Sequence, residues 1–245
     1  MNIKSLIYWV LEYLKWAINF FIPGYFSDNC RSVRRIIKHN NLKIKTVYDI
    51  GAFKGMWYKE RKKTFPNQAS FYLFDAQNLI ESKNILNEVT FVNTMLANED
   101  NQDKNFWMDG GSGSSYYKEL GNDIWDNVTP KLMKSEKLDS VIKKKQLPLP
   151  NYIKIDTQGS ELDVLKGFSK NLQYEKLYFI ELEISLYQIN NGAPLIEEVV
   201  QYMSDKNFLL ISLEKLPIVP YFGEKKLIQI NGIFARQNLT SVGEF

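Results

Sequence analysis

The chain has 245 residues, 44% hydrophobic and 24% charged, which is enough for one well-buried α/β domain with an appendage. Its formal net charge of +3 falls far short of the basic face of a dedicated nucleic-acid binder, so no nucleic-acid partner is expected. One cysteine, Cys30, excludes an intramolecular disulfide, and one histidine, His39, argues against histidine-rich metal sites and a Ser-His-acid triad.

Ile3, Leu6, Ile7, Val10, Leu11, Leu14, Ala17, Ile18 and Phe21 recur at helical spacing. Trp9, Trp16 and Phe20 widen that apolar face, while Lys4, Glu12 and Lys15 argue against a spanning helix. Ile3–Phe21 therefore reads as an amphipathic helix, packed on protein or lying at a membrane interface as a peripheral contact. Pro23-Gly24 ends it, and a second helix over Asp28–Asn41 leads into the first strand. Residues 1–42 form this helical segment, 43–238 the main domain and 239–245 a tail.

From there strands and helices alternate. Strand Thr46–Ile50 precedes a helix over Met56–Thr64, strand Ser70–Asp75 a helix over Asn78–Asn87, and strand Val89–Asn93 follows. Asn98–Trp125, which contains Gly110-Gly111-Ser112-Gly113-Ser114-Ser115, favours neither helix nor strand. A helix over Lys137–Lys145, strand Tyr152–Asp156, helix Ser160–Lys170, strand Lys176–Glu183 and helix Pro194–Asn207 come next. Strands Phe208–Glu214 and Lys226–Phe234 end the pattern. The alternation predicts an α/β fold with a mostly parallel sheet covered on both faces. The connection between the last two strands is too short for a parallel crossover, so that pair should be antiparallel.

Ligands of such sheets collect beyond the carboxyl ends of the strands. Four predicted strands carry an acid there: Asp49, Asp75, Asp156 and Glu183. The turn Gly51-Ala52-Phe53-Lys54-Gly55 lets backbone approach a ligand, and Asp75 sits where a ribose acceptor belongs. Only two glycines are present, short of the spacing that a dinucleotide pyrophosphate requires. Asp49 beside the turn would repel phosphate but suits a cationic cofactor, which favours S-adenosylmethionine. In Asp156-Thr157-Gln158-Gly159-Ser160-Glu161, the glycine permits a tight turn and Ser160 can cap a helix. Glu161 is then either one more face residue or aimed back at the site. Asp163 reads as a charge complementing the helix dipole.

These segments, with Val47-Tyr48-Asp49-Ile50-Gly51-Ala52-Phe53-Lys54-Gly55, Phe74-Asp75-Ala76, Lys137-Leu138-Asp139, Tyr152 to Gly167 and Glu183 to Tyr187, resemble FkbM-type methyltransferases from about Thr46 to Gln237. The resemblance implies a class I, Rossmann-like methyltransferase fold, a seven-stranded sheet whose last strand is antiparallel. It also implies O-methylation, commonly of a sugar hydroxyl. Carried over, Gly51 and Gly55 match the cofactor turn and Asp75 the ribose acceptor; the candidate cofactor-binding residues are Asp49, Gly51, Ala52, Phe53, Gly55, Asp75, Ala76 and Asp156. Asp75 stands where Phe-Glu-Pro is usual, and Gln158 where many relatives have glutamate.

A sugar hydroxyl loses its proton on attack, so Asp156, Glu161 and Glu183 are the candidate catalytic carboxylates. The same oxygens could hold a divalent cation, which the sequence leaves undecided. Tyr116, Tyr117 and Tyr187 are candidate sugar-stacking residues, and Gly110–Ser115 a candidate lid. The expected acceptor is a sugar or glycan and the expected compartment the cytoplasm, with homo-oligomerisation open. An NAD-type oxidoreductase and a methyltransferase-fold scaffold without catalysis are the competing readings.

Overall fold

A computed structural model describes residues 28–108, 111–121, 128–216, 219–221 and 224–240. The amphipathic stretch Ile3–Phe21 lies outside them. Helix α1 (Asp28–His39) leads into β1 (Thr46–Ile50), α2 (Met56–Arg61), β2 (Ser70–Asp75), α3 (Lys83–Glu88) and β3 (Val89–Asn93). Three strands follow: β4 (Met95–Leu96), β5 (Asp103–Phe106) and β6 (Lys131–Glu136). Next come α4 (Leu138–Lys145), β7 (Tyr152–Ile155), α5 (Glu161–Gly167), β8 (Phe179–Ser185), α6 (Ile196–Asp205) and β9 (Phe208–Lys215). The hairpin β10 (Val219–Tyr221) and β11 (Glu224–Lys226) precedes the last strand, β12 (Gln229–Arg236). Among the described residues no helix is long and apolar enough to cross a membrane.

The main sheet has seven strands in the order β3-β2-β1-β7-β8-β12-β9. All neighbouring pairs are parallel except those of β12, which runs antiparallel to both β8 and β9. The predicted antiparallel final pair is thus present, and β12 wedges itself between β8 and β9. Parallel strands covered on both faces read as near-continuous apolar runs, as the wholly buried β1 and β7 do. One core packs α4, α5 and α6 against the sheet through Leu138, Val141, Leu165, Phe168, Val199 and Met203. The other packs Val33, Ile36, Tyr58 and Ile85, from the first three helices, on the opposite face.

Strand order reverses between β1 and β7, whose carboxyl ends therefore open a crevice. The chains are very close there. A β-carbon on Gly51, which has φ +76°, would fall 1.7 Å from the Asp156 carbonyl oxygen. The glycine read as a cofactor approach is thus also needed for the approach of two backbones.

Several boundaries differ from the sequence expectation. The helix expected over Asn78–Asn87 begins only at Lys83, because the preceding residues bend around the Asp75 carboxylate: Gln77 N–H donates to Oδ1 at 2.7 Å. The helix expected to reach Lys170 stops at Gly167, where a β-carbon would lie 2.2 Å from the Ala97 carbonyl oxygen. The region expected to lack regular structure contributes β5 to a three-stranded sheet in the order β4-β6-β5. Its short strands pair polar with apolar residues, so they carry no run that a period can reveal.

Gly167→Ala would push α5 off β4. A loss of about 2 kcal/mol or more is expected in urea unfolding, against roughly 0.5 kcal/mol or less for an unstrained surface substitution.

Candidate active site

The crevice holds a cavity whose empty space, counted out into open solvent, is about 530 Å³. Ile50, Phe74, Met95, Leu96 and Phe106 supply apolar wall, while Gly51, Phe53, Asp75, Ala76, Asp156 and Thr157 line the strand ends. Gly111, Ser112, Ser114 and Tyr116 close another side, so the described part of the expected lid is a wall of the cavity. Among the described residues two carboxylates line it, and no lysine, arginine or histidine does.

The turn after β1 has already committed its amides. Gly51 and Ala52 N–H donate to the Phe74 carbonyl at 2.9 and 3.1 Å, and Gly55 N–H to the Ala52 carbonyl at 2.7 Å. Phe53 N–H donates to Asp75 Oδ2 at 2.7 Å. A pyrophosphate needs such amides pointing outward and a cation nearby. The amides of Gly51, Ala52, Phe53 and Gly55 are instead taken by protein acceptors, which disfavours the NAD reading. Phe53 itself is left-handed, with φ 50°, a costly conformation for a bulky residue.

Asp75 closes this turn with one oxygen on Phe53 N–H and the other on Gln77 N–H, leaving a lone pair on each oxygen for ribose hydroxyls. Burial raises its pKa, against the pull of those two amides.

Of the remaining sequence candidates, Asp49 is wholly buried and absent from the cavity lining. Its position is in the strand, below the rim. In register across β1–β7 stands Lys154, whose Nζ lies 3.7 Å from Asp49 Oδ1, and neither Asp49 oxygen accepts a hydrogen bond. Burial raises the Asp49 pKa to about 6 although Lys154 pulls the other way. Ala52 and Gly55 likewise do not line the cavity.

Asp156, Glu161 and Glu183 do come together: each offers one oxygen, all within 4.8 Å of one another. Asp156 follows β7 directly, whereas Glu183 stands two residues before the end of β8. Lys154 Nζ donates to Asp156 Oδ2 at 2.9 Å. Burial opposes the lysine charge, but the Asp156 and Asp49 carboxylates outweigh it and hold the ammonium above its ordinary pKa. Gln158 Nε2 lies 2.8 Å from both Asp156 Oδ1 and Glu183 Oε2, and Gln229 Nε2 also reaches Glu183 Oε2 at 2.8 Å.

Glu161 does turn back from its helix. Its Oε1 accepts Thr157 N–H at 2.7 Å and its Oε2 accepts Gly159 N–H at 3.0 Å. Burial nevertheless pushes its carboxyl up to about 7. Burial, then the Asp156 and Glu161 carboxylates, holds Glu183 well above the usual range.

Asp163 has a role beyond the helix dipole. Its Oδ2 accepts Tyr116 and Tyr117 hydroxyls at 2.9 and 3.0 Å, which ties the loop over residues 111–121 to α5. Asn190 Nδ2 holds the same loop through the Tyr117 carbonyl at 3.0 Å. Tyr116 lines the cavity, Tyr117 does not, and Tyr187 is exposed. Sequence reasoning overlooked Lys154 and Gln229. The signal for the first was a lysine inside an otherwise apolar strand; Gln229 gave none.

A crevice at the switch point, anionic, without outward amides for phosphate and with a carboxylate at the end of the second strand, fits the sulfonium and ammonium charges and ribose of S-adenosylmethionine. The chain belongs to the FkbM methyltransferase domain family, whose model matches residues 49–210. It is also similar to the hexuronic acid methyltransferase AglP of Haloferax volcanii, at 27% identity over 77 residues. That stretch covers 29% of this chain and 32% of the relative. Among solved structures, the ribosomal protein L11 methylase of Lactobacillus delbrueckii subsp. bulgaricus superposes with a TM-score of 0.46 at 12% identity, over 84% of this chain and 77% of that one. Magnesium protoporphyrin IX methyltransferase of Synechocystis PCC 6803 superposes with a TM-score of 0.42 at 12% identity, over 85% and 78%.

Asp75→Ala would remove the tether of Phe53 and Gln77 together with the ribose acceptor. S-adenosylmethionine should bind at least about tenfold more weakly in calorimetry, one such lost contact being worth about 1.4 kcal/mol or more.

The carboxylates near the cavity also predict a pH dependence. Glu161, with its pKa at about 7, is neutral below that value and ionised above it. Affinity for the cationic cofactor should rise as pH passes upward through 7, and affinity for S-adenosylhomocysteine, without the sulfonium charge, should rise less. Equal pH profiles for the two ligands would contradict this electrostatic account.

Proposed function

We propose that this methyltransferase acts on oxygen, transferring the methyl group to a sugar hydroxyl in a glycan or glycoconjugate. The observation that carries the reading is the Asp156 carboxylate on the cavity wall, backed by Glu161 and Glu183 within 4.8 Å. An alcohol is a poor nucleophile and must shed its proton as it attacks, so it needs a positioned base. The similarity to a hexuronic acid methyltransferase supports the carbohydrate class of the acceptor.

When bound, S-adenosylmethionine supplies an electrophilic methyl whose former bonding pair stays with sulfur. Gly51, Phe53, Asp75 and Ala76 would hold it at the ends of β1 and β2. Asp156 receives the hydroxyl proton on one of its oxygens, while Lys154 holds that carboxylate in place. Glu183 accepts a hydrogen bond from the acceptor sugar or takes the proton onward. Glu161 fixes the turn over residues 157–160, through the Thr157 and Gly159 amides, and so sets where Asp156 stands. Tyr116 lines the same cavity.

Labelled S-adenosylmethionine, incubated with glycan precursors from the source cells, should place label in a base-stable methyl ether. Asp156→Ala should lower that incorporation by about 10²-fold or more, and Glu183→Ala should also abolish most of it. Label on an amine or a thiol, or full incorporation by both variants, would discard the assignment.

A further inference from the structure

Gln158 is in the left-handed region, with φ 53°, a conformation that a glutamine adopts only when its surroundings demand it. Its side chain explains the demand. One amide nitrogen stands 2.8 Å from an oxygen of Asp156 and 2.8 Å from an oxygen of Glu183, one proton available for each. The carboxamide nitrogen, rather than its oxygen, faces both acids. The two acids lie 27 positions apart along the chain, Asp156 just past the end of β7 and Glu183 within the neighbouring β8, and two carboxylates this close repel unless something positive stands between them. In sites of this kind that something is commonly a divalent cation with oxygen ligands. Here the space between them holds N–H donors, which a cation cannot share.

Lys154 supports the same division of labour. Its ammonium is spent on Asp156 Oδ2 and Asp49, on the side of Asp156 away from Gln158, and does not bridge to Glu183. Gln229 adds a second amide donor to Glu183. Among the described residues, the donors to the Asp156–Glu183 pair are thus the side-chain nitrogens of Lys154, Gln158 and Gln229.

We propose that the Gln158 carboxamide is the positioning residue of the acidic trio, bridging Asp156 and Glu183 with its two N–H groups where a divalent cation would otherwise be needed. Methyl transfer then requires no added metal. A glutamate at 158 would place a fourth carboxylate in the trio, turn the bridge into a repulsion, and create a set of oxygen ligands. The inference rests on Asp156 being the base, as proposed above.

The test uses Mn²⁺ as the probe, followed by electron paramagnetic resonance on the full chain, with the labelled-methyl assay run in parallel. Wild-type protein should show no saturable Mn²⁺ site tighter than about 1 mM, and its incorporation should be unchanged by a chelator. Gln158→Glu should bind Mn²⁺ at least about tenfold more tightly and incorporate label only when Mn²⁺ or Mg²⁺ is supplied. A role confined to folding would not create a metal requirement. Gln158→Met, neutral and of similar length, covers the case in which the glutamate variant does not fold. It should keep its affinity for S-adenosylmethionine within about threefold yet lose kcat by about tenfold or more. A tight Mn²⁺ site in wild type, chelator-sensitive wild-type activity, equal Mn²⁺ binding by wild type and Gln158→Glu, or full kcat in Gln158→Met would each overturn the proposal. Failure of the base assignment reads differently, as an active Asp156→Ala.

Discussion

One ammonium, that of Lys154, serves several acids at the floor of the crevice. It stands in register with Asp49 on one side and Glu181 on the other, and reaches forward to Asp156. An ion buried this deeply survives only if it is paired, and a buried carboxylate without a partner prefers to keep its proton. Burial raises the pKa values of Asp49, Glu161 and Glu183, and neighbouring carboxylates add to the rise. A cofactor that brings its own positive charges opposes that rise, which is why the site suits a sulfonium better than a phosphate.

The remaining devices keep this anionic crevice in shape without adding cations. Backbone amides donate to Asp75 and Glu161, and side-chain amides donate to Glu183. Tyrosine hydroxyls on Asp163 pin the loop that walls the cavity. At the opposite end of the strands Asn151 does comparable work: its Oδ1 accepts the Lys45 and Thr46 amides, and its Nδ2 donates to the Lys176 carbonyl. Neutral donors hold the geometry and leave the field of the crevice negative.

Much of this was legible in the residues. The strands predicted at Thr46–Ile50, Ser70–Asp75 and Val89–Asn93 were found as written, because apolar runs bounded by glycine, proline or acidic residues are local signals. Asp75 and Asp156 were placed at the cavity because each ends a strand or follows one. Asp49 shows the limit of that logic. Next to a glycine turn it looked like a rim residue, yet the strand's alternation turns it inward, toward Lys154, and away from the ligand space. The small sheet of β4, β5 and β6 left no periodic trace, since its strands are two to six residues long and largely polar.

By itself the sequence determined the alternation of elements, the glycine turn and the acids that follow the strands, since each depends on backbone freedom or on spacing within a few residues. Only the tertiary structure decided that β12 enters between β8 and β9, and that Gln158 reaches Glu183 from 25 positions away. It also decided that Glu161 folds back onto its own turn rather than into solvent. Those outcomes depend on which strands become neighbours and on competition for donors in a buried volume. Neither can be read from residues that are distant in the chain until packing has brought them together.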